Sequence, residues 1–158
     1  MAKALIAYYS RSGNTKKMAE EIAQSLKQEG LSVVCREITS VSAEELINFD
    51  VFIFGSPTYY GTMAYQVKKL LDESVILHGR LDGKIGAAFS SSANIGGGNE
   101  TTVMDILYAF LIHGMILQGD AKGDHYGPVS IGAPDQRSIA QCRRLGQRVA
   151  GLAKKLFN

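Results

Sequence analysis

The sequence predicts a three-layer α/β fold: a doubly wound, five-stranded parallel sheet covered by helices on both faces. Two observations carry this. Five runs of strand length are apolar through most of their length, as strands buried on both faces are, and stretches of helical period separate them. A third fixes the scale: 158 residues without linker, repeat or low-complexity stretch suit one domain, residues 1–158.

The first strand is "KALIAYYS" (3–10), and the helix after it carries Met18, Ile22 and Leu26 at four-residue spacing. Gly30 stands where a left-handed residue closes that helix. "LSVVCREI" (31–38) is the second strand, and Ser42 before "AEEL" reads as an N-cap. "VFIFGS" (51–56) is the third strand, followed by a helix marked by Val67 and Leu71. "KIGAAFSS" (84–91) is the fourth, and its helix has a wide stripe of Val103, Ile106, Leu107, Phe110 and Leu111. "GMILQG" (114–119) is the fifth. A closing helix sets Ile139, Cys142, Leu145, Val149, Leu152 and Leu156 against a face of arginines and lysines.

Composition excludes several classes. Hydrophobic residues make up 46% and charged residues 20%, and no apolar run reaches the roughly 18 residues a membrane span needs. Polar "SRSGNTKK" follows the first apolar run where a signal peptide would carry its cleavage site, so a cytoplasmic location is expected. Cys35 and Cys142 are too few for a disulfide framework or zinc site and read as packing residues. The net charge is +2 with cations scattered along the chain, which predicts no nucleic-acid partner.

In open parallel sheets ligands bind beyond the carboxyl ends of the strands, near the switch in strand order. The segments after strands one, three and four are all unusual. In "SRSGNT" (10–15), Ser10, Ser12, Asn14 and Thr15 supply hydroxyls and an amide, Gly13 permits a tight turn, and a helix beginning near Thr15 aims its free N–H groups back into the loop. This suits a phosphate. It is no P-loop, since "GRLDGKI" (79–85) is one residue short and lacks the hydroxyl after Lys84; nor is there a dinucleotide fingerprint, since "GGGNET" (96–101) has Thr101 in place of the last glycine. "SPTYYGTMA" (56–64) places Tyr59 and Tyr60 in a surface loop, where adjacent aromatics suit a flat ligand. "SSSANIGGGNETT" (90–102) exposes permissive backbone whose ordering is costly without a ligand.

Together "SRSGNT", "SPTYYG" and "SSSANIGGGNE" resemble the flavin mononucleotide (FMN) site of flavodoxin-like proteins. From strand three onward the chain is most similar to the WrbA-type NAD(P)H:quinone oxidoreductases, through "PTYYGTM", "FSSSANIGGGNETT", "HGM" (113–115), "YGPVSIG" (126–132) and "GQRVAGLAKKL" (146–156). The phosphate loop is the flavodoxin version, and the segments after strands two and five are shorter than in WrbA-type chains. The resemblance implies strand order 2-1-3-4-5. It implies that Ser10, Arg11, Ser12, Gly13, Asn14 and Thr15 hold the phosphate. Pro57, Thr58, Tyr59, Tyr60 and Gly61 would contact the isoalloxazine, and Ser90, Ser91, Ser92, Ala93, Asn94, Gly96 and Gly97 would line its pyrimidine side.

The implied activity is FMN-dependent reduction of a quinone or other small-molecule acceptor by NAD(P)H, in two-electron ping-pong fashion. His113, matching the histidine of the "HGM" element, is the candidate catalytic residue, placed to hydrogen-bond a quinone oxygen or donate a proton. No metal is expected, and a homo-oligomer, dimer or tetramer, is implied. The alternative is a flavodoxin that carries single electrons between proteins; such carriers are strongly acidic around the flavin, whereas these loops hold no acidic cluster. A receiver-like regulatory domain needs an acid at the carboxyl end of strand three, where Ser56 and Pro57 stand instead.

Overall fold

The computed structural model describes residues 1–157. Strands β1 (Lys3–Tyr8), β2 (Ser32–Glu37), β3 (Val51–Tyr59) and β5 (Ile85–Ser92) form a parallel sheet in the order β2-β1-β3-β5, and the fifth position beside β5 is shared by β6 (Ile116–Leu117) and β7 (Val129–Ile131). The predicted order and class are thus observed. Alternation along each strand explains the three layers. Leu5, Ala7, Phe52, Phe54 and Ala88 point to one face, beneath helices α2 (Tyr65–Glu73) and α3 (Asn99–Ile112). Ala4, Ile6, Ile53, Ala87 and Phe89 point to the other, beneath α1 (Asn14–Gln28) and α4 (Gln136–Leu156).

Two glycines set how closely these layers approach. A Cβ on Gly55 would lie 2.1 Å from the Phe89 ring, so the ring occupies the space that a side chain would need. A Cβ on Gly146 would lie 2.6 Å from the Ser25 side chain, and Ser25 Oγ donates to the Arg143 carbonyl at 2.7 Å, joining α1 to α4. Gly30 closes α1 as expected, with φ +89°. Its N–H donates to the Lys27 carbonyl, while Leu31 donates to Leu26, the paired bonds of a Schellman end.

Four expectations change. Ser42 does not cap an α-helix: the short connection between β2 and β3 forms 3-10 turns, Ile38–Ser40 and Glu44–Asn48, and the Ser42 N–H donates to Glu45 Oε1 at 2.8 Å. Buried Ile38, Val41, Leu46 and Phe49 pull that short connection flat onto the sheet, leaving no room for a full helix. β3 runs past Pro57 to Tyr59 and returns as β4 (Thr62–Met63) through a two-residue turn. Tyr60 (φ +49°) and Gly61 (φ +81°) are both left-handed there, as a type I′ hairpin turn requires. The fifth strand is broken: β6 pairs with the start of β5 and β7 with its end, while residues 118–128 loop out between them. Leu111, assigned to the buried stripe of α3, is 54% exposed, and its neighbour Ile112 is 72% exposed.

Candidate functional site

A cavity of about 560 Å³ opens beyond the carboxyl ends of β1, β3 and β5, within the size range of ligand sites. Three of the predicted segments meet there. Arg11, Ser12, Asn14 and Thr15 line one side, Pro57, Thr58 and Tyr59 a second, and Ser91, Ser92 and Ala93 the third. Gly132, after β7, completes the wall. Sequence reasoning placed no site residue there, because the break in the fifth strand hides that β7 ends beside the cavity.

The first segment is built as an anion cradle. Ser10 Oγ accepts from the N–H groups of Gly13 (3.1 Å) and Lys16 (3.2 Å), so Ser10 shapes the loop rather than facing the cavity. Gly13 is the N-cap of α1 at φ +94°, with no side-chain cap and no acidic residue in the first turn. By contrast Asp135 closes α4, its carboxylate accepting from Ser138 N. The amides of Ser12, Asn14 and Thr15 find no acceptor among the described residues. Arg11 is the one charged side chain of the lining and forms no ion pair among the described residues. An open helix terminus, unpaired amides and a free guanidinium together stabilise negative charge.

Hydroxyl contacts lock the other segments to this one. Thr15 Oγ1 and Ser91 Oγ lie 2.9 Å apart in a buried pair. Ser90 is fully buried: its hydroxyl donates to the Ser56 carbonyl at 2.8 Å and lies 3.0 Å from Thr58 Oγ1. Thr102 adds the next link, with Oγ1 3.1 Å from Thr58 Oγ1 and 2.8 Å from the Gly98 carbonyl. Ser92 Oγ donates to the Asn94 carbonyl and accepts from Asn99. Thr101 and Thr102 were not predicted. A threonine in the first turn of a glycine-capped helix, able to return a hydroxyl bond to the cap, is the signal that could have found them.

Tyr59 lines the cavity and packs edge-on to Tyr9 at 6.4 Å between ring centroids. Tyr60 and Gly61 lie outside the lining: Tyr60 is fully exposed, and the Gly61 carbonyl accepts from Thr101 Oγ1 at 2.8 Å. A Cβ on Gly98 would stand 2.7 Å from Gly61 Cα, so the hairpin turn rests on the start of α3. Asn94, Gly96 and Gly97 form an exposed turn at the rim, closed by Gly97 N donating to the Asn94 carbonyl at 3.2 Å.

His113 is not at this site. It follows the last residue of α3, whose 14 residues begin at the cavity, so at 1.5 Å per residue it sits about 20 Å away, at the opposite end of the sheet. There it is 8% exposed, with Nε2 2.7 Å from Ser74 Oγ. Because Ser74 Oγ donates to the Leu71 carbonyl, Nε2 carries the proton and Nδ1 is left bare, buried and without a partner. Burial, and secondarily His78, lowers its pKa. Proton donation from His113 to a ligand in the cavity of the same chain is therefore excluded by distance. The cysteines are free, as expected of packing residues. Burial pushes the thiol of Cys35 up to about 11 and that of Cys142 up to about 12, so neither is a thiolate near neutrality.

Comparison with known proteins agrees with this geometry. The family model of the flavodoxin domain matches residues 5–105, which include all three segments. Over 159 aligned positions, 95% of the chain and 86% of the relative, the chain is 39% identical to a flavodoxin of Aquifex aeolicus. It is also 32% identical to an NAD(P)H dehydrogenase (quinone) of Archaeoglobus fulgidus, over 190 positions that cover 99% of the chain and all of the relative. Among solved structures, a flavodoxin from the domain Archaea superposes with TM-score 0.81 at 29% identity, covering 96% of this chain and 99% of the other. No helix among the described residues is long and apolar enough to cross a membrane.

Proposed function

The chain belongs to the flavodoxin domain family, and we propose that it is an FMN-dependent oxidoreductase that passes electrons from NAD(P)H to a small quinone-type acceptor. The observation that carries FMN is the open end of α1, whose unpaired amides and Arg11 suit a terminal phosphate. Pro57–Tyr59 and Ser91–Ala93, which line the cavity beyond that end, would hold the flat ring and fix its position. When bound, the cofactor supplies hydride and electron transfer. The protein contributes the anion cradle, hydroxyl-locked loops and a rim in which, among the described lining residues, Arg11 is the only charge.

That rim favours the enzyme. Nicotinamide must stack on an exposed ring face, and its anionic phosphates approach a cationic or neutral rim more readily than an acidic one. With His113 far away, protons for the acceptor come from solvent or from the reductant.

One finding favours the second reading, a flavodoxin acting as electron carrier. The alignment to the Aquifex flavodoxin runs over 159 positions for 95% of the chain, whereas that to the quinone dehydrogenase needs 190 positions for 99% of it. Extra segments of the dehydrogenase are thus missing here. Anaerobic stopped flow of the FMN-loaded protein separates the two. The enzyme reading expects direct bleaching of the flavin by NADH or NADPH and reoxidation by a benzoquinone. Failure of both nucleotides, with rapid reduction by a reductase protein instead, would establish the carrier.

A further inference from the structure

The break in the fifth strand leaves a second cavity, remote from the first segment of the flavin cradle. It has a volume of about 160 Å³ and lies at the free edge of β5, where the middle of a continuous fifth strand would have run. Leu107 and Leu111 of α3, Leu117 and Leu145 form apolar walls, and the loop 118–128 closes one side. The loop is held in place independently of any ligand. Asp120 accepts from Arg144 and faces Arg148, Asp124 accepts from Arg137, and a Cβ on Gly127 would lie 2.1 Å from the Ala88 carbonyl oxygen. The void therefore does not close by collapse of its lid.

The leucine walls give water few partners, and an engineered cavity of roughly 150 Å³ with wholly apolar walls accepts benzene. Of the polar side chains in the lining, Asp120 and Asp124 are paired with arginines and Gln141 accepts from the Asp124 N–H, while His125 and Arg148 keep hydrogen-bonding capacity. His125 Nδ1 lies 2.7 Å from the Asp120 carbonyl, so Nδ1 donates and Nε2 remains an acceptor in the neutral ring. Arg148 donates one Nη2 bond to the Gly119 carbonyl and has further N–H groups to offer.

We propose that this cavity is a second ligand site, for a monocyclic phenol: the ring fills the leucine-lined void, the hydroxyl donates to His125 and accepts from Arg148. The site does not depend on the flavin assignment.

The test is a titration of the full-length, isotope-labelled protein with phenol and with benzene, with and without FMN, followed by backbone amide shifts. Saturable shifts confined to residues 117–128 and the facing turns of α3 and α4 are expected, unaffected by FMN. Leu111→Trp fills the mouth and should weaken phenol about tenfold, whereas Leu111→Ala keeps the cavity and should retain binding. His125→Ala should weaken phenol while leaving benzene unchanged. The proposal is overturned if phenol shifts nothing saturably, if the shifts centre on Arg11–Thr15 and Pro57–Tyr59, or if Leu111→Trp binds as well as the parent. It also fails if shifts around Leu111 follow protein concentration rather than phenol, which would make this apolar face an interface between copies of the chain.

Discussion

Thr15 Oγ1 and Ser91 Oγ lie 2.9 Å apart in a buried contact that spans 76 positions of sequence. One residue lies in the first turn of α1 and the other near the end of β5, so the pair ties the anion cradle to the opposite wall of the cavity. From the same wall Ser90, Thr58 and Thr102 continue the hydroxyl chain to the start of α3. Each hydroxyl satisfies another, so the loops are held at working distance without a ligand, and less ordering entropy opposes binding.

Thr15→Val should therefore cost stability by stranding the Ser91 hydroxyl, by about 1–3 kcal/mol. Ser91→Ala should behave similarly, but the double variant should cost less than the sum, with a coupling of about 0.5–1.5 kcal/mol. Urea unfolding of the four proteins measures it. Strict additivity would mean that the pair does not form.

Arg11 tests the phosphate end. Arg11→Ala should weaken FMN by about three- to tenfold, leave riboflavin unchanged, and lose much of that difference in high salt, because an exposed guanidinium acts through a screened charge. Fluorescence titration with both ligands reads this. An equal loss for riboflavin would place Arg11 against the ring and not the phosphate.

Gly98 governs the hairpin that carries Tyr59. Its φ of +100° and the 2.7 Å approach of a Cβ to Gly61 Cα combine two penalties, so Gly98→Ala should destabilise the protein by about 1–3 kcal/mol. Pushing the turn outward should also disturb the ring contact and weaken FMN and riboflavin alike. Tyr60→Gly, which relieves a left-handed tyrosine, should instead stabilise by about 1 kcal/mol with little effect on either ligand. Thermal unfolding and flavin titration of both variants check the contrast.

The class and the converging loops were legible because each rests on local pattern: buried strands read as continuous apolar runs, and the cradle loops carry glycine and hydroxyls at turns; the strand order came only through the family resemblance. What escaped depended on distant partners. "GMILQG" looks like one strand, yet only Ile116 and Leu117 pair with β5, and the rest of that position is filled by Val129–Ile131. The β4 hairpin was hidden because Tyr60 adopts a conformation usually reserved for glycine or asparagine. Ser10, Thr15 and Ser90 have the chemistry of ligand groups, but their hydroxyls are engaged within the protein. His113 was misplaced because the resemblance of "HGM" outweighed the topology: a helix between two parallel strands returns to their amino ends, opposite the ligand site.

His113 supplies the last test, and its sign follows from the bare Nδ1. Protonating Nδ1 would put an unpaired charged N–H into a buried site, so the folded-state pKa lies below the ordinary value near 6.5. The unfolded chain therefore binds a proton first as pH falls. Above pH ~6.5 both states are neutral and there is no penalty; below it stability declines until the folded-state pKa is passed. His113→Gln, which can still reach Ser74, should stay within about 2 kcal/mol of the parent at neutral pH and show a shallower loss between neutrality and mild acid. Denaturant midpoints across that range measure this. The same variant should reduce a benzoquinone at the parental rate once its flavin is reduced, because about 20 Å separates the imidazole from the cavity. A matching pH slope in parent and variant would remove the titration from His113. A selective loss of the quinone half-reaction would mean that the histidine reaches a flavin after all, across an interface with a second copy.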